Sequence, residues 1–139
     1  VPPLYGLAQT LQKIGAQIET VLGFASRGDA FLVEDFRQFG SVKVATVDGT
    51  YGHCGRVTDL LDDKHTWDIF YACGPTPMLR ALQDYFAGSD VDGYVSLEQR
   101  MGCGVGACLA CVCPTHNDGV LVKICSDGPV FPYEKVVLS

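Results

Sequence analysis

Apolar positions along the chain alternate between helical spacing and short strand-like runs. Pro2-Pro3 followed by Leu4, Leu7, Ala8 and Leu11 predicts a short helix with proline in its first turn, stopped at Gly15. Ile18, Val21, Leu22 and Phe24 then predict a buried strand, closed by the turn residues Ser26-Arg27-Gly28-Asp29. Phe31, Leu32, Phe36 and Phe39 are spaced for a second short helix, and Val42, Val44 and Val47 alternate as a strand ending at Asp48-Gly49. After a glycine-rich loop, Val57, Leu60 and Leu61 give a helical turn or two. The run from Trp67 to Ala72 is the clearest strand, stopped by Cys73-Gly74-Pro75. Pro77 then opens a helix whose Met78, Leu79, Leu82 and Phe86 share one face, and Val91 to Leu97 makes a last strand.

Strands alternating with helices predict an α/β fold, a Rossmann-like parallel sheet covered on both faces. Ligands of such sheets sit outside the carboxyl ends of the strands, where Asp48-Gly49 and Cys73-Gly74-Pro75 both fall. The alternation stops near Gln99-Arg100, which predicts a nucleotide-binding-like domain over residues 1–98 and a separate cysteine segment over 99–139. The chain opens on a helix, without the strand and glycine-rich turn that normally begin a doubly wound domain. Either the sheet begins elsewhere or the chain is the C-terminal part of a longer protein with the first strand missing, and it is expected to bind NADH weakly by itself.

Composition narrows the function classes. The 139 residues are 47% hydrophobic, enough to bury a core. A net charge of −6 and a pI near 4.8, with no basic cluster, argue against a nucleic-acid partner. No apolar run approaches membrane-spanning length and no signal-peptide pattern opens the chain, so no membrane association is expected.

The chemistry lies in the cysteines. Cys103, Cys108 and Cys111 are spaced C-x4-C-x2-C, and Cys125 follows alone. That is the plant-type spacing for a [2Fe–2S] cluster: each iron takes two thiolates and two bridging sulfides, so ligands from one tight loop and one returning strand wrap the small rhomb. Gly102, Gly104, Gly106 and Ala107 let backbone N–H groups approach the sulfurs, which stabilises the more negative, reduced cluster. Four thiolates also suit zinc, although zinc ribbons carry two C-x2-C knuckles and this chain has one. A disulfide framework fits poorly with seven crowded cysteines. Cys113 is a spare, expected as a small core residue beside Pro114. Thiols arranged for a metal cluster predict a reducing, cytoplasmic compartment.

Other signals are weaker. Residues Gly102 to Ala107 also fit G-x-G-x-x-G/A, but no amphipathic helix follows to receive a pyrophosphate, so these glycines are assigned to the cluster loop. His53, His65 and His116 occur singly and are expected on the surface, and no hydrolytic nucleophile or general base is recognisable. No catalytic side chain is assigned. Asp48 has the chemistry to meet a ribose hydroxyl, yet Asp-Gly is first a turn signal, and Cys54 receives no role.

The segment YACGPTPM has its own logic: a strand ends, Gly-Pro leaves room for a planar ring, and Pro77 starts a helix whose positive end faces the site. It resembles the C-G-P-x-P-M segment of the ferredoxin–NADP reductase superfamily. Together, VPPLYGLA, VDGTYG, YACGPTPML, SLEQRMGCGVGACLACVC and KICSDGPVF resemble the C-terminal part of the dihydroorotate dehydrogenase B electron-transfer subunits, over essentially the whole chain. The resemblance implies Cys103, Cys108, Cys111 and Cys125 as ligands of a [2Fe–2S] cluster, and Cys73, Gly74 and Pro75 as a nicotinamide-side loop. It further implies an oxidoreductase subunit of pyrimidine synthesis that works with NAD and with FAD held on an N-terminal domain. Its partner would be an FMN-containing catalytic subunit that oxidises dihydroorotate, in a heterotetramer, with Met101, Val105 and Leu109 near the interface. Alternatives are a related iron–sulfur reductase subunit, of ferredoxin:NADP oxidoreductase or sulfide dehydrogenase type, and a zinc-stabilised interaction module without redox function.

Overall fold

The computed structural model describes residues 1–62 and 66–138, and the chain divides into two compact units, Val1–Asp62 and Asp63–Ser139. The histidine expected at the surface at position 65 lies outside the described residues.

In the first unit, helix α1 (Pro2–Lys13) carries proline in its first turn, as expected. It ends where Gly15 turns left-handed (φ +80°): Gly15 N–H donates to Gln12 O at 3.0 Å and Ala16 N–H to Leu11 O at 3.1 Å, satisfying carbonyls of the last turn. Strands β1 (Ile18–Phe24), β2 (Gly40–Thr46) and β3 (His53–Cys54) form a parallel sheet, with Ile18 opposite Gly40 and Phe24 opposite Thr46. The connection from β1 to β2 contains α2 (Val33–Arg37), shorter than the apolar spacing suggests. Leu32 at its N-cap is left-handed (φ 59°), so the helix cannot begin at Phe31. Val33 and Phe36 from α2 join Ala8, Leu22 and Val44 in the core, with Tyr5 edge-on to Phe36 at 5.4 Å.

In the second unit, β4 (Ile69–Cys73), α3 (Thr76–Phe86) and β5 (Asp92–Ser96) form a βαβ unit with β4 and β5 parallel. Helix α3 buries Leu79, Leu82 and Phe86, the i, i+3, i+7 face read from the sequence. Phe86 stacks on Phe70 with ring centres 4.1 Å apart and planes 11° apart. Gly93 of β5 leaves the space Phe70 occupies, since a Cβ there would overlap its ring.

The cysteine segment does not trail away after β5. Strands β6 (Val112–Pro114) and β7 (Leu121–Lys123) form an antiparallel hairpin, followed by one helical turn, α4 (Ile124–Asp127). The chain then returns as β8 (Val130–Pro132), antiparallel to β5, with Tyr94 opposite Pro132. The order β4-β5-β8 gives the second unit's sheet an antiparallel edge that the parallel expectation did not include. Three-residue strands offer no periodicity to read, which is the physical reason they were not legible.

Candidate iron–sulfur site

Three of the four candidate ligands lie on the irregular loop between β5 and β6, where glycines supply the conformations. Gly104 and Gly106 have φ of +71° and +78°, a region that disfavours any residue with a Cβ. The turning loop aims successive N–H groups inward, a concave arrangement that suits anions. Cys108 N–H donates to Cys103 Sγ at 3.3 Å. The N–H groups of Cys108 and Val105, the Cys108 thiol and the Ala107 N–H together hold the Cys103 thiol down to about 6, so near neutrality it is a thiolate.

The hairpin explains how the fourth cysteine reaches this loop. Cys111 directly precedes β6, and the register that sets Val112 opposite Lys123 returns the chain beside it. Ile124 N–H donates to Cys111 O at 2.9 Å, fixing α4 against the loop. Cys125 therefore sits on a helical turn just past the return strand, not on the strand as the sequence reading had it. Asp127 closes that turn by accepting the Lys123 N–H at 2.7 Å.

Cys111 is 1% exposed and Cys125 half-buried. The Cys125 N–H and thiol, with the Ile124 N–H, lower the Cys111 thiol; the bond to Cys111 in turn raises Cys125. The interaction between the two thus acts in opposite directions, favouring the thiolate more at Cys111 than at Cys125. Gly106 N–H also faces the Cys125 sulfur. The four sulfurs thus form two hydrogen-bonded pairs, Cys103 with Cys108 and Cys111 with Cys125, and charge on Cys103 is felt at both members of the second pair. Among the described residues, no three Cys, His, Asp or Glu side chains converge on one metal-ion position. Two pairs of thiols surrounded by peptide N–H groups fit a two-iron cluster, in which each iron takes two cysteines.

The remaining candidates fall elsewhere. Cys113 is buried in β6 with its Sγ 3.7 Å from Val137 O, and burial pushes its thiol up, as suits a core residue. Cys73, Gly74 and Pro75 end β4 and lead into α3, whose first turn begins with Met78 and Leu79 N–H groups donating to Pro75 O at 2.9 and 3.1 Å. Asp48 Oδ1 accepts from the Thr50 N–H at 3.0 Å and its hydroxyl at 2.7 Å, which lowers the carboxyl and makes Asp48 a turn residue. His53 is exposed and stands 3.7 Å from Asp59, and His116 is exposed. Sequence reasoning did not single out Lys123, whose Nζ donates to Gly106 O; no spacing rule marks a side chain that serves a loop carbonyl.

Comparison with known proteins adds a likeness over the whole chain. Residues 98–137 match the iron–sulfur cluster binding domain of dihydroorotate dehydrogenase B. The chain is 50% identical over 141 aligned residues, all of its length, to the dihydroorotate dehydrogenase B (NAD(+)) electron transfer subunit of Bacillus pumilus. It is 51% identical, over 99% of its length, to that of Geobacillus thermodenitrificans. It spans about half of these relatives, 54% in each case. Among solved structures, the NADH-dependent reduced ferredoxin-NADP oxidoreductase of flavin-based electron bifurcation superposes with a TM-score of 0.82 at 33% identity, covering 97% of this chain and 49% of that one. Among the described residues no helix is long and apolar enough to cross a membrane. With half of its residues shared along its whole length, and the cluster-binding domain matched over residues 98–137, the chain is similar throughout to about half the length of these dihydroorotate dehydrogenase B electron transfer subunits.

Proposed function

We propose that this chain is part of a cytoplasmic electron-transfer subunit. It would relay electrons between NAD(H) and FAD on one side and the FMN of a dihydroorotate-oxidising partner on the other, in pyrimidine synthesis. In this reading, residues 1–98 are a nucleotide domain of ferredoxin-reductase type and residues 99–139 are the cluster segment. Cys103, Cys108, Cys111 and Cys125 hold a [2Fe–2S] cluster, and the single observation that carries the assignment is their two-and-two pairing. Such a cluster, when bound, supplies one-electron carriage, which two-electron donors and acceptors use only through flavins able to split pairs.

The chain's own residues prepare that chemistry. The N–H groups of Cys108, Val105 and Ala107 favour the Cys103 thiolate, and the Cys125 and Ile124 N–H groups lower the Cys111 thiol in the same sense. Cys73-Gly74-Pro75, at a strand's carboxyl end, suits the nicotinamide side. Met101, Val105 and Leu109 are 52, 77 and 69% exposed on the cysteine loop, which supports that loop as the face meeting the FMN subunit.

Anaerobic loading with iron and sulfide tests the reading: about two irons and two sulfides per chain, a red-brown colour and a paramagnetic reduced state are expected. A colourless protein carrying one zinc would overturn it in favour of the interaction module. With the full-length subunit, amide exchange over residues 101–113 should slow when the catalytic subunit binds; unchanged exchange would reject this docking face.

A further inference from the structure

Lys123 ends β7 two residues before Cys125, and its side chain reaches across to the cysteine loop rather than to solvent. Its Nζ donates to Gly106 O at 2.7 Å. Asp127, the acid beside it, takes the Lys123 backbone N–H at 2.7 Å and feels the Lys123 charge, while the ammonium's own hydrogen bond goes to the loop carbonyl. The Gly106 carbonyl belongs to the same peptide unit as the Ala107 N–H, and that N–H is directed at the Cys103 sulfur. The peptide on the other side of Gly106 presents its N–H to Cys125. One residue of loop thus touches a sulfur of each thiol pair, and Lys123 holds it in place.

We propose that Lys123 is a positioning residue for the cluster: its ammonium fixes Gly106 and polarises the Gly106–Ala107 peptide, strengthening the N–H bond to Cys103 and favouring the more negative, reduced state. Hydrogen bonds in series reinforce one another, and a cation at the carbonyl end makes the amide at the other end a better donor. Cluster potentials respond to net charge and to hydrogen bonds on the sulfurs, and both effects of Lys123 act in the same direction. The inference rests on the cluster reading above and adds a residue outside the ligand set.

Lys123→Met removes donor and charge, Lys123→Gln keeps a donor without charge, and Lys123→Arg keeps both. Each full chain is loaded anaerobically, its iron content is measured, and its potential is titrated by visible absorption and paramagnetic resonance. At a fixed poise, the Met and Gln variants should show a reduced-to-oxidised ratio about tenfold below the parent, about 59 mV more negative for one electron, with Arg within about threefold of the parent. Failure of Met and Gln to retain iron while Arg retains it would support the same role. Parental potentials in Met and Gln, or loss of the cluster in all three, would overturn it. If the parent chain takes up no cluster, the ligand assignment fails first and this inference with it; a loaded parent with indifferent Lys123 variants sinks this inference alone.

Discussion

The two left-handed glycines of the cysteine loop allow a controlled test of how tightly that loop is held. Gly104 and Gly106 share nearly the same φ, so an alanine at either carries the same backbone penalty, about 1 kcal/mol. Their surroundings differ. A Cβ at Gly104 meets nothing within 4 Å, whereas at Gly106 it stands 2.9 Å from Ser126 Oγ and 3.1 Å from Ser126 Cβ. The hydroxyl can rotate away but the Cβ cannot, because Ser126 is fixed in α4; overpacking of this kind adds about 1 kcal/mol, the low end of its usual range. Gly104→Ala should therefore destabilise the closed loop by about 1 kcal/mol and Gly106→Ala by about 2 kcal/mol, factors of about 5 and 30 in the opened population. Iron released through loop opening into an anaerobic chelator should accelerate by those factors. Ser126→Gly in the Gly106→Ala background should recover about 1 kcal/mol, read as the coupling of a double-mutant cycle. Equal release from the two alanine variants, or no coupling to Ser126, would show that Gly106 is not packed against α4.

Cys125→Ser should abolish stable cluster loading while Cys113→Ser leaves the visible spectrum nearly unchanged; the reverse pattern would reassign the fourth ligand. Gly93→Ala forces its Cβ into Phe70, which is stacked on Phe86 and lies 5.1 Å from Tyr133, so urea unfolding should report a loss of about 1–3 kcal/mol, and an unchanged midpoint would mean that Phe70 relocates freely. Lys43 is bonded to Asp62 and lies 2.9 Å from Glu19, and the bond to Asp62, followed by that to Glu19, raises its amine. A raised lysine stabilises the fold fully below its unfolded pKa near 10.4 and loses that contribution as pH rises through the folded value. The stability gap between parent and Lys43→Met, about 1 kcal/mol or less in these partly exposed pairs, should stay flat from pH 6 to about 10 and close above that; a gap that closes on acidification instead would refute the assignment.

What was legible in the sequence follows from length and pattern. Helix α3 and strands β1, β4 and β5 run five residues or more with a clear period, and all were read within a few residues of where they lie. Val47 breaks the two-residue step of Val42 and Val44, and it is 73% exposed, one residue past the end of β2. Strands β3, β6, β7 and β8 are two or three residues long, set by pairing partners far away in sequence, and no local window contains that information. The thiol ligands were legible because cluster dimensions impose a spacing on one loop. Lys123 was not, because its bond to Gly106 depends on hairpin register alone.

That register also predicts which changes in chain length the site should tolerate and which it should not. Cys125 is brought to Cys111 by the pairing of Val112 with Lys123 and by the bond from Ile124 N–H to Cys111 O, so every residue from Leu121 to Cys125 has a fixed place relative to the first three thiols. A one-residue shift within that stretch would turn the Lys123 side chain to the opposite face of the hairpin and withdraw its bond to Gly106. The hairpin's far end is different. The base of its turn is pinned, with Thr115 bridged to Val136 and His116 N–H donating to Lys135 O at 3.2 Å, but Asn117 to Gly119 form an exposed polar tip, with Gly119 left-handed and no contact to the cysteines required for its shape. Length added there costs only loop-closure entropy, which grows slowly. The spacing between Cys111 and Cys125 is therefore not itself the ligand code: the fixed quantities are the three-cysteine loop and the few residues around the fourth, joined by a turn whose length is free.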